Sequence, residues 1–280
     1  MPKEDTFDVV GIGVSPLDIL ALVESFPTED EVHQAIQIIA QGGGPVATAL
    51  ATLARLGART AMVDAIGDDW QGKLILEEFH RAKVSSKHIR VRPGFTSAIT
   101  SILVHQGTGS RAIYHFPGNA PELSPDELPF EVILNCKFLH INGRHLEACK
   151  KAIKEAKKSG VKISFDGGAG RYRYELDPLI PEVNILIAAK AFAQACTGEN
   201  LVFEMGKRLL KKGPQIVVIT DGLQGSWIFE QDNLSFHQPA FLMPKVIDTT
   251  GCGDSYHGAF LFGLMNHYPL PETARFASAV

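Results

Sequence analysis

The chain has 280 residues, of which 45% are hydrophobic and 21% charged, and its 27 basic and 31 acidic side chains give a net charge of −4. This balance is typical of a globular chain with one large domain and argues against a nucleic-acid-binding surface, while no apolar run approaches the roughly 18–20 residues of a membrane span. The four cysteines are scattered without a Cys-x-x-Cys pair, and the polar start lacks the apolar region of a signal peptide, so we expect a reduced, cytoplasmic protein.

Apolar runs alternate with helix-like stretches along most of the chain. We predict strands at residues 7–13, 60–67, 138–142, 161–165, 183–187 and 216–220. We predict helices, from apolar residues recurring every three to four positions, at residues 46–56, 70–82, 147–159 and 256–264. This alternation indicates βαβ units and therefore a mostly parallel sheet with helices on both faces.

One region departs from this alternation. Residues 98–105 and 111–116 are two strand-like runs, joined by the glycine-rich segment Gln-Gly-Thr-Gly-Ser at 106–110. Such a segment is typical of an antiparallel hairpin. A hairpin inside an α/β chain commonly projects as a lid or lies at an edge.

The most informative motif is Asp-Thr-Thr-Gly-Cys-Gly-Asp at 248–254, directly before the predicted helix at 256–264. Two glycines around one small residue permit a tight turn whose N–H groups point into an anion-sized hollow, and the helix dipole adds positive potential there. Asp254 would then lie in the first helical turn. From these residues alone it either caps the helix or accepts a proton beside a bound phosphate.

This motif resembles the C-terminal signature of the ribokinase-like (PfkB) carbohydrate kinases, usually written Asp-Thr-x-Gly-Ala-Gly-Asp. Further stretches follow the family's order and spacing. They are Gly11-x-Gly13 with Asp18, Gly42-Gly43-Gly44-Pro45, Gly67-x-Asp69-x-x-Gly72, Gly107-x-Gly109-Ser110-Arg111 and Thr220-Asp221-Gly222-x-x-Gly225. The match covers nearly the whole chain, and the sequence is identified as a member of this family.

The resemblance implies a ribokinase-like α/β fold, a three-layer αβα sandwich with a central, mostly parallel sheet and a small β-sheet lid. It implies a single kinase domain over residues 1–280, with the lid formed by segments near 14–41 and 95–118. It also implies transfer of the ATP γ-phosphoryl group to a hydroxyl of a small sugar. ATP and Mg²⁺ are the implied cofactors, with Mg²⁺ held mainly by ATP oxygens and water, and no metal ligands are assigned to the chain.

The family's motifs also imply a candidate site. Asp254 would be the general base, and the N–H groups of Gly251, Cys252 and Gly253 would stabilise the transferring phosphoryl group. The implied substrate contacts are Asp18, Gly42, Gly43, Gly44, Arg111 and Arg144. The implied nucleotide contacts are Thr220, Gly222, Gly225, Lys190 and Thr249. Four of these have plainer alternatives. Asp18 suits a turn at the end of a strand and Arg144 a salt bridge, while Arg111 suits an exposed hairpin charge and Lys190 a solvated helix face.

The chain departs from the family pattern in three places. Ala-Lys-Ala-Phe at 189–192 stands where many members carry Asn-x-x-Glu near the metal and phosphates, and Ala47 replaces a substrate-binding asparagine. The chain ends at Val280, inside the helix after the signature. Because the family usually continues from there, the resemblance implies that its C-terminal end is missing and that adenine contacts lie beyond these residues.

The segments 109–111 and 140–144 resemble ketohexokinase, whereas 42–48 and 275–278 resemble sulfofructose kinase. Both branches act on ketoses or modified ketoses, which favours a ketose-like substrate. A nucleoside kinase of the same fold remains an alternative, with Phe95, Ile113 and Phe116 as apolar candidates near the lid. A non-catalytic sugar or nucleotide sensor is a second alternative, favoured by the lost Asn-x-x-Glu. The expected partners are the sugar, ATP and a second copy of the chain, paired through the lid.

Overall fold

The computed structural model describes residues 6–231, 235–244 and 246–280. The strands in these ranges are β1 Val9–Ile12, β2 Leu17–Val23, β3 Gln37–Gly42, β4 Thr60–Gly67, β5 Ser85–Arg92, β6 Ile99–His105, β7 Arg111–Phe116, β8 Phe138–Ile141, β9 Lys162–Gly167, β10 Ile185–Ala189, β11 Ile216–Thr220, β12 Ser226–Glu230 and β13 Ser235–Gln238. The helices are α1 Pro45–Arg55, α2 Trp70–Ala82, α3 Phe130–Ile133, α4 Leu146–Lys158, α5 Lys190–Thr197, α6 Val202–Lys211, α7 Cys252–Met265 and α8 Leu270–Ala279. Short 3₁₀ turns span Pro125–Glu127, Tyr174–Glu182 and Gly222–Gln224.

Nine strands form the central sheet, in the order β13-β12-β11-β10-β9-β8-β1-β4-β5. Pairing is parallel from β11 to β5, whereas β12 and β13 add an antiparallel edge. The predicted mostly parallel sheet is therefore confirmed.

Two apolar cores cover the two faces of this sheet. Successive side chains of a strand point to opposite faces, so Val10 and Ile12 of β1 pack into one core and Val9 packs into the other. The first core includes buried residues of α4, α5 and α6, and the second includes those of α1, α2, α7 and α8. This arrangement is the predicted three-layer αβα sandwich. Among the described residues, no helix combines the length and apolar character needed to cross a membrane.

A second sheet has four strands in the order β3-β2-β6-β7. The predicted hairpin forms β6 and β7, and β2 pairs antiparallel with β3 but parallel with β6, so this small sheet is mixed. Leu20, Ile102 and Val104 form its own buried cluster, while β3 is exposed along its whole length. The small sheet thus buries an apolar cluster on β2 and β6, whereas its edge strand β3 is open to solvent.

Local sequence fixes the helix starts that frame the candidate site. Gly44 precedes α1 with φ +96°, a backbone conformation that favours glycine, and Pro45 follows at the first helical position. The Asp69 side chain caps the start of α2, since it accepts a hydrogen bond from the Gly72 N–H at 2.8 Å. Ligands of open α/β sheets bind beyond the carboxyl ends of the strands, so the loops after β1, β9, β10 and β11 position the site.

Candidate active site

A cavity of about 220 Å³ lies between the small sheet, α1, α2 and the start of α7. Asp18 and Asp254 both line it, although 236 residues separate them in the sequence. The other sequence-predicted residues in its wall are Gly42, Gly43, Gly44 and Gly251. The fold therefore brings the two carboxylates and both glycine motifs to one hollow.

Asp254 lies in the first turn of α7, and its side chain is 22% exposed. Burial, followed by the negative charge of Asp166, raises the pKa of Asp254 to about 7, and the positive charge of Arg171 opposes this rise. An Arg171 Nη2 atom lies 3.8 Å from Asp254 Oδ1. In the described part of the chain this carboxylate accepts no hydrogen bond from the backbone of α7. This favours a carboxylate poised to take up a proton over the helix cap that the sequence left open.

The backbone turns sharply before α7, where the sequence predicts an anion hollow. Gly251 adopts φ +79°, and the turn is held by Asp248 Oδ1, which accepts hydrogen bonds from the N–H and hydroxyl of Thr250 at 2.8 and 2.7 Å. The Cys252 N–H donates to the Thr249 carbonyl at 3.3 Å, whereas the Gly251 and Gly253 N–H groups have no acceptor among the described residues. A methyl group placed on Gly253 would meet no atom within 4 Å. Free N–H groups facing open space at a helix N-terminus suit a phosphate oxygen.

Asp18 lies on β2 and is only 7% exposed. Its Oδ1 atom is buried with no hydrogen-bond partner in the described ranges. Burial raises the pKa of Asp18 to about 6, an effect that the nearby Thr100 hydroxyl opposes. A side chain on Gly43 would overlap the Asp18 carboxylate, so only glycine fits there. Asp18 thus lines the cavity with a carboxylate that has one unpaired oxygen, and this oxygen is shielded from solvent.

Arg111 and Arg144 lie in different surroundings. Arg111, at the start of β7, donates a hydrogen bond from its guanidinium to the Thr249 hydroxyl, which joins the small sheet to the loop before α7. Arg144 pairs with Glu122 at 3.0 Å, as in its plainer alternative, but its Nε atom is buried without a partner among the described residues. Neither arginine lines the cavity.

The predicted nucleotide turn follows β11, which ends at Thr220. Gly222 and Gly225 adopt φ of +50° and +82°, and a side chain on Gly225 would overlap the Gln238 carbonyl. Lys190, the first residue of α5, contacts this turn through an ion pair with Asp221 at 2.7 Å. Gly225 thus allows close packing against β13, whereas Gly222 has open space beside it and Lys190 adds positive charge to the turn.

The sequence analysis missed Arg171 and its partner Asp166. Arg171 Nη2 lies 3.5 Å from Asp166 Oδ1 and 3.8 Å from Asp254, so one guanidinium bridges a buried aspartate and the cavity carboxylate. The available signal was an aspartate at the end of a buried strand, followed by the glycine-rich loop 167–170. Polar residues at the carboxyl ends of parallel strands commonly line a site.

A helix N-terminus with unpaired N–H groups beside a buried carboxylate, at the carboxyl edge of a parallel sheet, is an arrangement that phosphoryl transfer can use. A family model described as "pfkB family carbohydrate kinase" matches residues 6–280. The chain therefore belongs to the pfkB family of carbohydrate kinases, and it is a phosphotransferase with an alcohol group as acceptor.

Named relatives agree with this assignment. The chain is 28% identical over 291 residues to a 5-dehydro-2-deoxygluconokinase of Shouchella clausii, covering 98% of this chain and 88% of that protein. It is 23% identical over 285 residues to the ketohexokinase of Mus musculus, covering 97% and 94%. The structure of Arabidopsis thaliana ribokinase complexed with ribose and ATP is similar with a TM-score of 0.82 at 25% identity, covering 98% of this chain and 91% of that one.

Proposed function

We propose that the protein transfers the γ-phosphoryl group of ATP to a hydroxyl of a small ketose-like sugar. One observation carries this proposal, namely that Asp18 and Asp254 line the same cavity beside the free N–H groups of the loop before α7. A sugar held by Asp18 would present a hydroxyl to Asp254. Its acceptor oxygen would then face a phosphoryl group in the hollow.

In this mechanism Asp254 accepts the proton of the attacking hydroxyl as its oxygen bonds to the γ-phosphorus. The bond from that phosphorus to the bridging oxygen breaks in line, and ADP leaves with its electron pair. The N–H groups of Gly251, Cys252 and Gly253 stabilise charge on the transferring group, and the N–H of Cys252 first gives up its long hydrogen bond to Thr249. The pKa of Asp254, near 7, suits a group that must take up and release a proton at neutral pH.

The nucleotide would lie along Thr220, Gly222 and Gly225, with Lys190 and Thr249 near its phosphates. Bound Mg²⁺ would neutralise part of the negative charge on the ATP phosphates. No carboxylate stands at residues 189–192, and the nearby Asp221 is paired with Lys190, so ATP oxygens and water would hold most of the metal's coordination sphere. Lys190 would add positive charge near the phosphates, in a segment where many members instead carry the metal-tuning Asn-x-x-Glu element.

Two features support a ketose-like acceptor. The named relatives include a ketohexokinase and 5-dehydro-2-deoxygluconokinases, whose names describe keto-sugar substrates. Ala47 leaves more space beside Gly43 and Gly44 than an asparagine would. Arg111 and Arg144 would add contacts to hydroxyls or to an acidic group once a ligand draws them from their present partners.

An acceptor panel tests the proposal. Fructose, sulfofructose, ribose, adenosine, keto-deoxy-gluconate and 5-dehydro-2-deoxygluconate are each incubated with ATP, and phosphorylated product is measured by mass spectrometry. We expect one keto sugar or keto-sugar acid to be phosphorylated, with turnover reduced about 10²–10⁴-fold in Asp254→Asn. Glu175→Gln, the same change at an exposed position, is the matched control. Thermal stabilisation by ligands without any product would instead identify a sensor.

A nucleoside acceptor is the second candidate. Phe95, Ile113 and Phe116 are 37%, 51% and 52% exposed, so apolar surface is available on and beside the small sheet to cover a purine. In the same panel, phosphorylation of adenosine with no keto sugar accepted would select this alternative.

We further propose that two copies pair through their small sheets. Every residue of β3 is exposed, including Ile38 at 65%, and on β7 Tyr114 is 70% exposed. Open strand edges with apolar side chains favour pairing with another chain. Light scattering of the purified protein should give twice the 30.4 kDa monomer mass, and Ile38→Lys should lower it to that of the monomer.

The compartment remains a proposal as well. All four cysteines are free thiols, and three of them are buried. Free buried thiols suit the reducing cytoplasm, where we propose that the enzyme acts.

A further inference from the structure

Three metal-ligating side chains converge behind the cavity. His140 of β8, Asp166 of β9 and His257 of α7 are all buried. One ligand atom from each lies within 4.8 Å of the others, and His257 Nε2 lies 3.8 Å from Asp166 Oδ1. Two strands and one helix thus bring two nitrogen atoms and one oxygen atom into one small volume.

Each residue of the cluster has one polar atom without the hydrogen bond that buried polar atoms normally make. His140 Nε2, Asp166 Oδ2 and His257 Nδ1 are all without a partner in the part of the chain that the structure describes. Because these atoms belong to side chains that meet in one small volume, the cluster has unused polar atoms to offer a ligand.

The chemistry of the donor atoms identifies the ligand class. The three side chains offer two imidazole rings and one carboxylate. The His140 Nδ1 atom lies 3.2 Å from Ser164 Oγ, which leaves Nε2 as the ligand atom. Metal-bound histidines are typically oriented in this way by a partner on the second nitrogen.

We propose that His140, Asp166 and His257 bind one divalent transition-metal ion, of the zinc, cobalt and nickel class. Two imidazoles and one carboxylate suit these ions, whereas Mg²⁺ prefers oxygen ligands. Bonds of about 2.0–2.2 Å place the donor atoms of a tetrahedral site about 3.4 Å apart, so the three side chains draw together by about 1 Å on binding. The bound ion would be distinct from the Mg²⁺ that accompanies the nucleotide.

Arg171 covers the cluster on the side of the cavity. Its guanidinium is 40% exposed, lies 3.5 Å from Asp166 and folds so closely over Gly168 that a side chain there would overlap it. An incoming cation would replace Arg171 as the partner of Asp166. The guanidinium would then pair with Asp254 alone. The site therefore fills only if Arg171 and the glycine-rich loop 167–170 move aside.

Calorimetric titration with Zn²⁺ tests the proposal, using the full chain in a Cys252→Ser background that removes the exposed thiol. We expect one saturable equivalent that excess Mg²⁺ does not displace. Ser164→Ala should weaken it about 10–100-fold, and Asp166→Asn or His257→Gln should weaken it at least as much. Asp254→Asn, a change outside the cluster, should retain it.

Cobalt provides a readout that does not depend on the buried variants folding. Co²⁺ added to the Cys252→Ser chain should give visible absorption bands of a nitrogen- and oxygen-ligated ion, and Ser164→Ala should weaken that signal. Circular dichroism checks that each variant is folded. Absence of saturable binding by Zn²⁺ and Co²⁺, or binding unchanged in Ser164→Ala and in every folded cluster variant, would overturn the site. Neither readout depends on kinase activity.

Discussion

The Arg111 guanidinium hydrogen-bonds to the Thr249 hydroxyl across 138 positions of sequence. Arg111 belongs to the small sheet, and Thr249 lies two residues before the glycine turn that opens α7. The tip of the hairpin also reaches this loop, since a side chain on Gly109 would lie 3.6 Å from Val246. The position of the small sheet is thereby tied to the shape of the proposed phosphate hollow.

A double-mutant cycle tests this link. Arg111→Ala and Thr249→Val should each lower kcat/KM for the sugar, and their combination should lower it less than the product of the two effects. Contacting residues show coupling of about 0.5–3 kcal/mol, and for this exposed pair we expect about 1 kcal/mol, a factor of about five. Steady-state kinetics measures it. Fully independent effects would show that the link plays no part in turnover.

The raised pKa of Asp254 predicts an acid limit to activity. The carboxylate must be deprotonated to accept the hydroxyl proton, and burial with the charge of Asp166 raises its pKa to about 7. The logarithm of kcat/KM should therefore fall by about one per pH unit below pH 7. A profile that stays flat down to pH 5 would contradict the assignment of this base.

Arg171 influences the pH below which kcat/KM falls. Its positive charge lowers the pKa of Asp254, alongside Arg111, against the charges of Asp166 and Asp18. Arg171→Leu should therefore move the acid limb to higher pH. The same substitution at the exposed Arg275 should leave the limb in place.

Asp254 should also affect stability in a pH-dependent way. Because its folded pKa of about 7 exceeds the ordinary value of 3.8, the native state holds this proton more tightly than the unfolded chain. That contribution is fully present below pH 3.8 and is lost as the pH rises through 7. Asp254→Asn should thus stabilise the protein by about 1–3 kcal/mol at pH 8 and have little effect at pH 4. Urea unfolding at the two pH values measures the difference.

Helices and strands could be predicted from the sequence where their buried face requires apolar residues at regular spacing. The strands at 60–67 and 216–220 and the helix at 70–82 have the predicted bounds. The edge strand β5, Ser85–Arg92, was not predicted because its charged residues face solvent and break the apolar run. Helix α7 begins at Cys252, four residues before the predicted start, because its first turn is polar and carries no apolar period.

The candidate site was predictable only in part. Motifs placed Asp18 and Asp254 in one site because the family's spacing links them. The contact of Arg171 with Asp254 and the pairing of Lys190 with Asp221 depend on which loops meet at the carboxyl edge of the sheet. The pattern of a single sequence does not show which loops meet. The contact between Arg111 and Thr249 has the same origin, since it joins the two sheets.

Two glycines of the cavity should respond differently to alanine. A methyl group on Gly43 would overlap Asp18, so Gly43→Ala should displace this carboxylate, raise the sugar KM and cost about 1–3 kcal/mol of stability. Gly253 has no atom within 4 Å of such a group, so Gly253→Ala should stay folded yet lower kcat by filling the phosphate space. Kinetics and thermal unfolding of both variants separate the effects, and equal stability losses would contradict the geometry.

A buried hydrogen bond between His145 and Asp64 supports the loop that leads to Asp18. His145 Nδ1 accepts a hydrogen bond from the Leu123 N–H at 3.1 Å, so its Nε2 carries the proton and donates to Asp64 Oδ1 at 2.8 Å. The second oxygen of Asp64 accepts the Ser15 N–H at 2.7 Å, three residues before Asp18. The pair thus connects β4 and the start of α4 to the loop that leads into β2.

Removing one partner of this pair should be costly because the other is left buried and unsatisfied. We expect His145→Ala to lower the free energy of unfolding by about 3–5 kcal/mol. Lys150→Ala, which breaks the exposed pair with Glu147, should change it by less than about 1 kcal/mol. Because Ser15 loses its anchor when Asp64 is disturbed, His145→Ala should also raise the sugar KM more than the ATP KM. Equal increases in both constants would show that the pair supports the fold without positioning the substrate carboxylate.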